Sequence, residues 1–562
     1  MRGARVRLGV LVLVLAASGA QAGLLVLING NFHTLNDRQP RAEAVIATDG
    51  RIAFVGSSVE ARQRAPRDAR QVDLGGATVV PGFTDSHAHL AGIGQRELAF
   101  DLEGTTSVAD LQAKLKQRAA STKAGEWIFG RGWIESRWTP AVFPSRADLD
   151  AVVADRPVVL ERADGHAVVA NSLALKLARI DRTTANPSGG EILKDRQGEP
   201  TGMLIDKATD LVTRLVPPLS ETERLRQLEV GAERSVRVGW TQLQIAGNTL
   251  AEVEQLCALY AQGRIKLRIY DAVGGPGSDA DQLIEKGPSG IQCSDRLVVR
   301  SIKLYIDGAL GSRGAALLAP YSDSPASSGL LVNSEDELYR LLVGALRKGI
   351  QIETHAIGDR GNRLMLDLYE RAFAAVPVPH RAVAEPRWRI EHAQVLHPDD
   401  IPRFARLGVI ASMQPSHAIS DLYFAPSRLG PERVAGAYAW RSVLDAGAII
   451  AGGSDAPVER GEPMIEFYAA VERRSLDGFA DNNWHREQRV TRAEALKMLT
   501  LWPAYAAFQE KERGSIEVGK LADLTVLSVD IMQIPAPEIL KSKVVMTIIG
   551  GEVAYIQPRR LK

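Results

Sequence analysis

Apolar runs typical of buried strands alternate with helical patterns through the middle of this 562-residue chain. Such alternation is typical of parallel βα units, in which a helix returns the chain to the same end of a sheet. Eight runs qualify as strands: residues 77–85, 240–246, 266–273, 301–306, 350–354, 389–391, 409–413 and 448–452. They predict an α/β fold with a (β/α)8 TIM barrel, whose functional residues lie at the carboxyl ends of its strands.

One connection of the predicted barrel is much longer than the others. About residues 91–238 separate the first predicted strand from the second, far more than an ordinary βα connection needs. We therefore expect a long insertion after strand 1, folded as a lid or subdomain over the carboxyl end of the barrel.

The two ends of the chain read as short strands joined by turns, over residues 23–78 and 514–562. Asp49-Gly50 between two apolar runs is a strong hairpin signal. Because neither end has enough strands for a stable sheet, we expect both to form one small β-sandwich beside a barrel at residues 79–513. Two independent terminal hairpins are the alternative.

A secretory signal peptide is predicted at the amino terminus. Three arginines among the first seven residues precede an apolar run over residues 8–17, which is too short to cross a bilayer of about 30 Å. Ala20 and Ala22 supply the small residues of a cut before Gly23. We therefore expect removal of residues 1–22 and a periplasmic or secreted protein with no membrane attachment, the alternative being an uncleaved anchor.

Composition limits the classes of partner to be considered. Hydrophobic residues make up 45% of the chain and charged residues 24%, as in globular proteins, and the formal net charge is +1. We therefore expect no nucleic-acid partner, and a homodimer stays open. The two cysteines, Cys257 and Cys293, have no metal-ligand or redox spacing, and the sequence does not decide whether they pair.

Side chains that can bind a metal stand at the ends of five predicted strands. His87 and His89 end the first, and because alternate residues of a strand point the same way, both can reach one ion. The others are Lys303 in the fourth strand, His355 after the fifth, His392 after the sixth and Asp455 after the eighth. Since the carboxyl ends of barrel strands share one mouth, six groups would meet there.

Each of these residues also has a purely structural interpretation. A histidine can be a hydrogen-bonded core residue, Lys303 a buried amine paired with Asp307, and Asp455 a helix N-cap. All six in this order favour a metal centre over six separate structural roles.

The motifs around these residues resemble those of the amidohydrolase superfamily. Within it, the chain is similar to the branch of N-substituted formamide deformylases and their YtcJ-like relatives, amidohydrolase family 3, over about residues 24–553. The segments that carry the resemblance are 80–89 (VPGFTDSHAH), 127–133 (WIFGRGW), 164–166 (DGH), 303–313 (KLYIDGALGSR), 354–359 (THAIGD), 389–394 (RIEHAQ) and 453–457 (GSDAP).

The resemblance implies a centre of two divalent metal ions. It assigns the more buried ion to His87, His89 and Asp455, the more exposed ion to His355 and His392, and the bridge between them to Lys303 carboxylated by CO2. A carbamate would offer anionic oxygens to both ions. Zinc is the expected metal, with iron, manganese and nickel as alternatives.

The same resemblance implies hydrolysis of a small-molecule amide. Metal-activated hydroxide would attack the carbonyl, and Asp455 would carry the proton to the departing nitrogen. We expect a non-peptide carbon–nitrogen bond, in an N-substituted amide or formamide. Mononuclear deaminases of the superfamily carry a glutamate where this chain has Gly358, which weakens a deaminase assignment.

Two other functions stay open at this point. One is a cyclic amide, lactone or dipeptide hydrolase with the same binuclear site. The other, from a different class, is a catalytically inactive binding scaffold, which the complete ligand set argues against.

Four further residues are candidates for substrate binding. Asp164 and His166 lie in the insertion, and an Asp-Gly turn with an exposed histidine is their alternative. Arg313 follows a glycine-containing loop after strand 4 and could clamp an anion or form a structural salt bridge. His417, just beyond strand 7, could hydrogen-bond a substrate.

Overall fold

The computed structural model describes residues 23–135, 138–162, 167–187, 190–288, 293–480 and 484–558, so the predicted signal peptide lies outside it. Its strands are β1 Leu25–Ile28, β2 Asn31–His33, β3 Arg41–Ala42, β4 Ala44–Thr48, β5 Arg51–Gly56, β6 Gln71–Asp73, β7 Thr78–Pro81, β8 Phe83–Ala88, β9 Phe100–Asp101, β10 Ile128–Trp133, β11 Val158–Arg162, β12 Ala167–Ala170, β13 Gly190–Lys194, β14 Pro200–Asp206, β15 Trp240–Asn248, β16 Arg268–Gly274, β17 Leu297–Tyr305, β18 Gln351–Ala356, β19 Arg389–His392, β20 Ile410–Met413, β21 Ile450–Gly452, β22 Leu524–Leu527, β23 Val544–Ile549 and β24 Glu552–Ile556.

The α-helices of the same ranges run between and around these strands. They are α1 Ser58–Arg64, α2 Leu90–Leu98, α3 Val108–Ala120, α4 Arg146–Asp150, α5 Ser172–Leu177, α6 Asp210–Thr213, α7 Glu221–Arg237, α8 Leu250–Ala261, α9 Ser278–Lys286, α10 Glu335–Lys348, α11 Asp359–Ala375, α12 Ile401–Leu407, α13 Pro415–Ser420, α14 Ala425–Val434, α15 Trp440–Asp445, α16 Pro463–Glu472, α17 Arg492–Met498, α18 Leu501–Ala506 and α19 Ala536–Ile539.

Eight parallel strands form the barrel, which confirms the predicted (β/α)8 fold. Their order is β8, β15, β16, β17, β18, β19, β20 and β21, the order in which they occur along the chain. Backbone hydrogen bonds just past the ends of the first and last strands bring them together: Asp455 N donates to His87 O at 2.7 Å, and His89 N donates to Ala456 O at 2.8 Å. The ring therefore closes beside residues predicted to bind metal.

The helices between barrel strands begin and end where the local sequence favours it. Helix α10 is an example: the Ser334 hydroxyl accepts from Glu337 N, and Gly349 ends the helix at φ 74°. Acidic residues occupy its first turn and basic residues its last, which suits the helix dipole. Its buried leucines, Leu338, Leu342 and Leu346, pack toward the barrel core at helical spacing.

The first predicted strand is two strands in the structure. Strand β7 pairs with β22 and β2, whereas β8 pairs with barrel strand β15. The break falls at Gly82, whose backbone N donates to Asp523 O and where a Cβ atom would overlap the Thr241 side chain. One apolar run therefore serves two different sheets.

Strands from both chain ends share a sheet and a hydrophobic core. A six-stranded sheet has the order β24-β23-β22-β7-β2-β3, and a four-stranded sheet has the order β5-β4-β1-β6. Leu25 and Val45 of the smaller sheet pack with Val79, Leu524 and Ile548 of the larger one. The association of the two termini is thus held by buried apolar side chains.

Residues Gly94–Val230 form a separate compact unit. Its sheet has the order β13-β14-β12-β11-β10-β9, with parallel pairing from β9 to β11 and antiparallel pairing beyond. Trp133, Leu160 and Met203 lie in its core.

Cys257 of α8 and Cys293 form a disulfide, which answers the question that the sequence left open. Within the described ranges, no helix is both long enough and apolar enough to cross a membrane.

Candidate metal centre

The metal-binding candidates stand where five barrel strands end. Strand β8 carries His87, β17 carries Lys303, β18 carries His355 and β19 ends at His392. Asp455 follows β21 and His89 follows β8. The parallel register sets Lys303 beside Glu353, His355 beside Tyr305 and His392 beside Ala356, so these three groups lie within about three residues of one another along the strands.

Asp455 lies at the centre of this group. Its Oδ1 atom is 3.1 Å from His89 Nε2 and 3.6 Å from His87 Nε2, and its Oδ2 atom is 3.6 Å from His417 Nε2. The Lys303 amine is 3.1 Å from His87 Nε2. The Asp455 carboxylate thus faces three imidazoles. One of them, His87, also lies beside the Lys303 amine.

The histidine rings are grouped closely enough to share ions. The ring centres of His87 and His392 are 4.8 Å apart, and those of His355 and His392 are 4.6 Å apart. His87, His392 and Asp455 each offer a ligand atom within 4.8 Å of the others. His355 Nε2 is buried without a hydrogen-bond partner among the described residues, and a metal ion would supply that partner.

Hydrogen bonds to Nδ1 of two rings turn Nε2 toward the other candidate ligands. His87 Nδ1 is 2.5 Å from Glu391 Oε2, and His392 Nδ1 is 2.8 Å from Gln414 Oε1. When an imidazole donates from Nδ1, its Nε2 lone pair is available to a metal. The donor set and its orientation therefore fit divalent ions such as zinc.

The protonation states suit metal binding. Burial lowers the pKa of His355 to about 3 and lowers the pKa of His87 and His392 well below the usual range, so these rings are neutral. Burial alone would raise the pKa of Asp455, but the hydrogen bond with His89 and the surrounding imidazoles hold it well below its usual range. Burial also lowers the pKa of Lys303.

The fully buried guanidinium of Arg389 lies beside the glutamates next to the candidate site. Arg389 donates to Glu353 and to Gln244, and to Ser86 O at 3.4 Å. Its Nε atom is 3.5 Å from Glu391 Oε1, on the carboxylate that contacts His87. A cation in this position offsets the charge of the two buried glutamates.

The backbone is strained at two of the candidate ligands. His392 has φ 72° and Asp455 has φ 58°, values that residues other than glycine rarely adopt. Asp tolerates this region better than most residues, whereas a histidine there is unusual. Strain of this kind concentrates at functional sites, where surrounding contacts hold it in place.

Asp307 does not pair with Lys303. Its carboxylate accepts hydrogen bonds from the backbone N–H groups of Ala316, Ile357 and Gly358 at 2.8 to 2.9 Å. The aspartate thereby ties the loop after β17 to the turn after β18, and Lys303 is left facing the histidines.

All four substrate-binding candidates remain predictions. Asp164 and His166 lie outside the described residues. Arg313 forms the salt bridge that the sequence left as its alternative, with Nη2 2.9 Å from Asp323 Oδ2 and Nε 3.1 Å from Asp323 Oδ1. Its role toward a substrate is not supported by this contact.

His417 lies at the site, on α13. Its ring stacks on His392 with 5.8 Å between ring centres and 20° between planes. Its Nε2 atom is buried and has no hydrogen-bond partner in the part of the chain described.

The sequence interpretation missed Glu391, Gln414 and Arg389. Glu391 and Arg389 lie in the same four-residue strand as His392, and charged residues in so short a buried strand were the available signal. Nothing in the sequence pointed to Gln414.

Comparisons with known proteins show which family the chain belongs to. Residues 70–555 match the amidohydrolase family. The chain is 33% identical to the YtcJ protein of Bacillus subtilis, over 94% of this chain and 98% of that protein. It is 29% identical to the N-substituted formamide deformylase of Arthrobacter pascens, again over 94% and 98%.

A solved structure shares the fold. An uncharacterized metal-dependent hydrolase from Pyrococcus horikoshii, 27% identical, superposes with a TM-score of 0.75 and covers 92% of this chain and 99% of its own. The matches confirm the resemblance found in the motifs. This chain is a member of the amidohydrolase family and a hydrolase of its metal-dependent superfamily.

Proposed function

We propose that the protein hydrolyses a non-peptide carbon–nitrogen bond in a small N-substituted amide, with N-substituted formamides as the first class to test. The observation that carries the proposal is Asp455, an ionised, buried carboxylate that faces imidazoles and can also accept a proton. The relative from Arthrobacter pascens, an N-substituted formamide deformylase, supports this choice of substrate.

The proposed ligands are those that the strands bring together. His87, His89 and Asp455 would hold one ion, His355 and His392 the second, and carboxylated Lys303 would bridge them. When bound, two divalent ions, with zinc as the proposed metal, supply a Lewis acid and an activated water. The position of the Lys303 amine, buried and 3.1 Å from His87 Nε2, supports the proposal of a bridging carbamate.

The residues around the ions would handle the proton and the substrate. Asp455 accepts the proton of the attacking water and passes it to the departing nitrogen, because an amine leaves far more readily once protonated. His417 presents its unpartnered Nε2 beside Asp455 Oδ2 and donates a hydrogen bond to the substrate. The products are a carboxylic acid, formic acid from a formamide, and an amine.

A substrate screen tests the proposal. Metal-loaded protein would be given N-alkyl and N-aryl formamides, longer N-substituted amides, cyclic amides, lactones and dipeptides, and products would be identified by mass spectrometry. We expect amine release from the formamides, its loss in His355→Asn, and its retention in His397→Asn, which changes an exposed histidine.

The other outcomes decide between the alternatives. Turnover of cyclic amides, lactones or dipeptides without turnover of acyclic amides would replace the proposed substrate class. No turnover of any compound by fully metal-loaded protein would favour a binding scaffold.

We also propose that the protein is exported. The disulfide between Cys257 and Cys293 supports this, because such bonds persist in oxidising compartments such as the periplasm.

A further inference from the structure

A cavity lies at the opposite end of the barrel from the candidate metal ligands. Its volume is about 170 Å³, and one wall carries Gln242, Arg268 and Val298 from the amino-terminal parts of three barrel strands. The other wall carries Arg51 of β5 and Arg513 of the segment before β22. It is large enough for several water molecules or for one small ion with water.

Arg513 is the unusual residue of this cavity. It is 1% exposed, and among the described residues its guanidinium has one hydrogen bond, from Nη2 to Thr241 Oγ1 at 2.8 Å. Its Nε and Nη1 atoms are buried without a hydrogen-bond partner in the described parts of the chain. Burial lowers the pKa of Arg513 to about 10, so the group is still a cation near neutral pH. A buried cation with unpartnered donors is costly.

The charges around Arg513 do not balance in the buried part of the cavity. Asp523 is the carboxylate nearest to it, with Oδ2 3.6 Å from Nη2. That carboxylate already accepts two hydrogen bonds from Arg268, at 2.8 and 3.2 Å, and one from Gly550 N. One buried carboxylate therefore serves two buried guanidinium groups.

The other acidic groups lie at the rim. Glu512 pairs with Arg51 at 2.7 Å, and Asp295 is exposed. Arg296 adds a further guanidinium to the lining, with Nη2 3.5 Å from Glu552. The buried interior thus keeps an excess of positive charge.

We propose that this cavity binds a small oxyanion, a carboxylate or inorganic phosphate, held by Arg513 and Arg268. Guanidinium groups prefer oxyanions because their N–H groups match the spacing and charge of the oxygens. Gln242 Oε1, which also lacks a partner, accepts from the hydroxyl of a protonated phosphate. The bound ion links the amino end of the barrel to the terminal strands and stabilises that junction.

A crystallographic experiment locates the ion directly. Crystals of the mature, metal-loaded protein would be soaked in sodium arsenate, which has the shape and charge of phosphate and an anomalous signal. We expect an anomalous peak in the cavity beside Arg513, separate from any peak at the metal ligands. A cavity holding ordered water alone would overturn the proposal.

A solution experiment tests the role of Arg513. Melting temperatures would be compared in phosphate and in chloride at equal ionic strength, with Arg513→Gln as the test variant and Lys511→Gln as the control. Lys511 is exposed and two residues away, so its loss removes one charge without changing the cavity. We expect a saturable rise of about 2 °C in phosphate for the wild type and for Lys511→Gln, and none for Arg513→Gln.

The same comparison distinguishes this cavity from the metal centre. Phosphate bound at the metal centre would also raise the melting temperature of Arg513→Gln, because that variant leaves the metal centre intact. An equal rise in both variants would contradict the proposal. If Arg513→Gln does not fold, Arg296→Gln at the rim replaces it, with a weaker phosphate affinity expected, and unchanged affinity would count against the site.

Discussion

The Nδ1 atom of His87 lies 2.5 Å from the Oε2 atom of Glu391, and both side chains are fully buried. The contact crosses the barrel from the sixth strand to the first. It turns His87 so that Nε2 faces Lys303 and Asp455. Glu391 in turn lies beside Arg389, which holds it from the other side.

Glu391→Gln should weaken metal binding. A glutamine keeps the shape of the side chain but not its negative charge, so the orientation and basicity of His87 are less well fixed. Loss of such a supporting group typically lowers metal affinity by about 10- to 100-fold. Competition with a chelator, followed by metal analysis, measures the change.

Glu353→Gln is the matched control for that measurement. Glu353 also accepts a hydrogen bond from Arg389 and stands beside Lys303 in the strand register, but among the described residues its side chain forms no hydrogen bond or ion pair with a proposed ligand. We expect its metal affinity to stay closer to that of the wild type. Equal losses in the two variants would show a general effect of charge in the barrel and not a specific effect on His87.

Lys303→Ala should lower metal content and activity together. Strand β17, the fourth strand of the barrel, contains no other lysine and no carboxylate side chain that could replace Lys303, so the bridge would be lost. A short carboxylic acid should restore part of both, because it supplies the missing oxygens. Wild-type metal stoichiometry and activity in this variant would refute the bridging role.

Asp455→Asn should separate proton transfer from metal binding. The amide keeps one acceptor oxygen but cannot take up the proton, so kcat on an alkyl amide should fall by about 10²- to 10⁴-fold in metal-loaded protein. Activated aryl esters should lose less, since their leaving group needs no proton. A near wild-type rate on the amide would make His417, 3.6 Å from Asp455, the next residue to test.

The exported protein should begin at Gly23. Ala20 and Ala22 frame the cut, and the first described strand begins two residues after Gly23. Intact-mass measurement of periplasmic material gives the terminus, and a full-length mass confined to the cytosol would contradict export.

The barrel could be predicted because its signal is local and repeated. Each strand is a short apolar run, and candidate metal-binding side chains stand at the ends of five of them, so position along the chain gives position in the fold. Seven of the eight predicted strands overlap single strands of the barrel, from β15 to β21.

The parts that could not be predicted depend on contacts distant in sequence. Residues 77–85 look like one strand, and only pairing with β22 and β15 shows that this run divides at Gly82. Glu391 and His87 are 304 residues apart, so no local pattern records their contact. Arg313 had two equally good interpretations until Asp323 was placed beside it.

The most direct test of the account is to measure metal content and amide hydrolysis in the same samples. Mature protein would be assayed for amine release from an N-substituted formamide as purified, after removal of metal by a chelator, and after addition of zinc. We predict that bound metal and amine release fall together and return together. Amine release that is unchanged after the metal is removed, or full metal loading without turnover of any amide, would contradict a metal-dependent amide hydrolase.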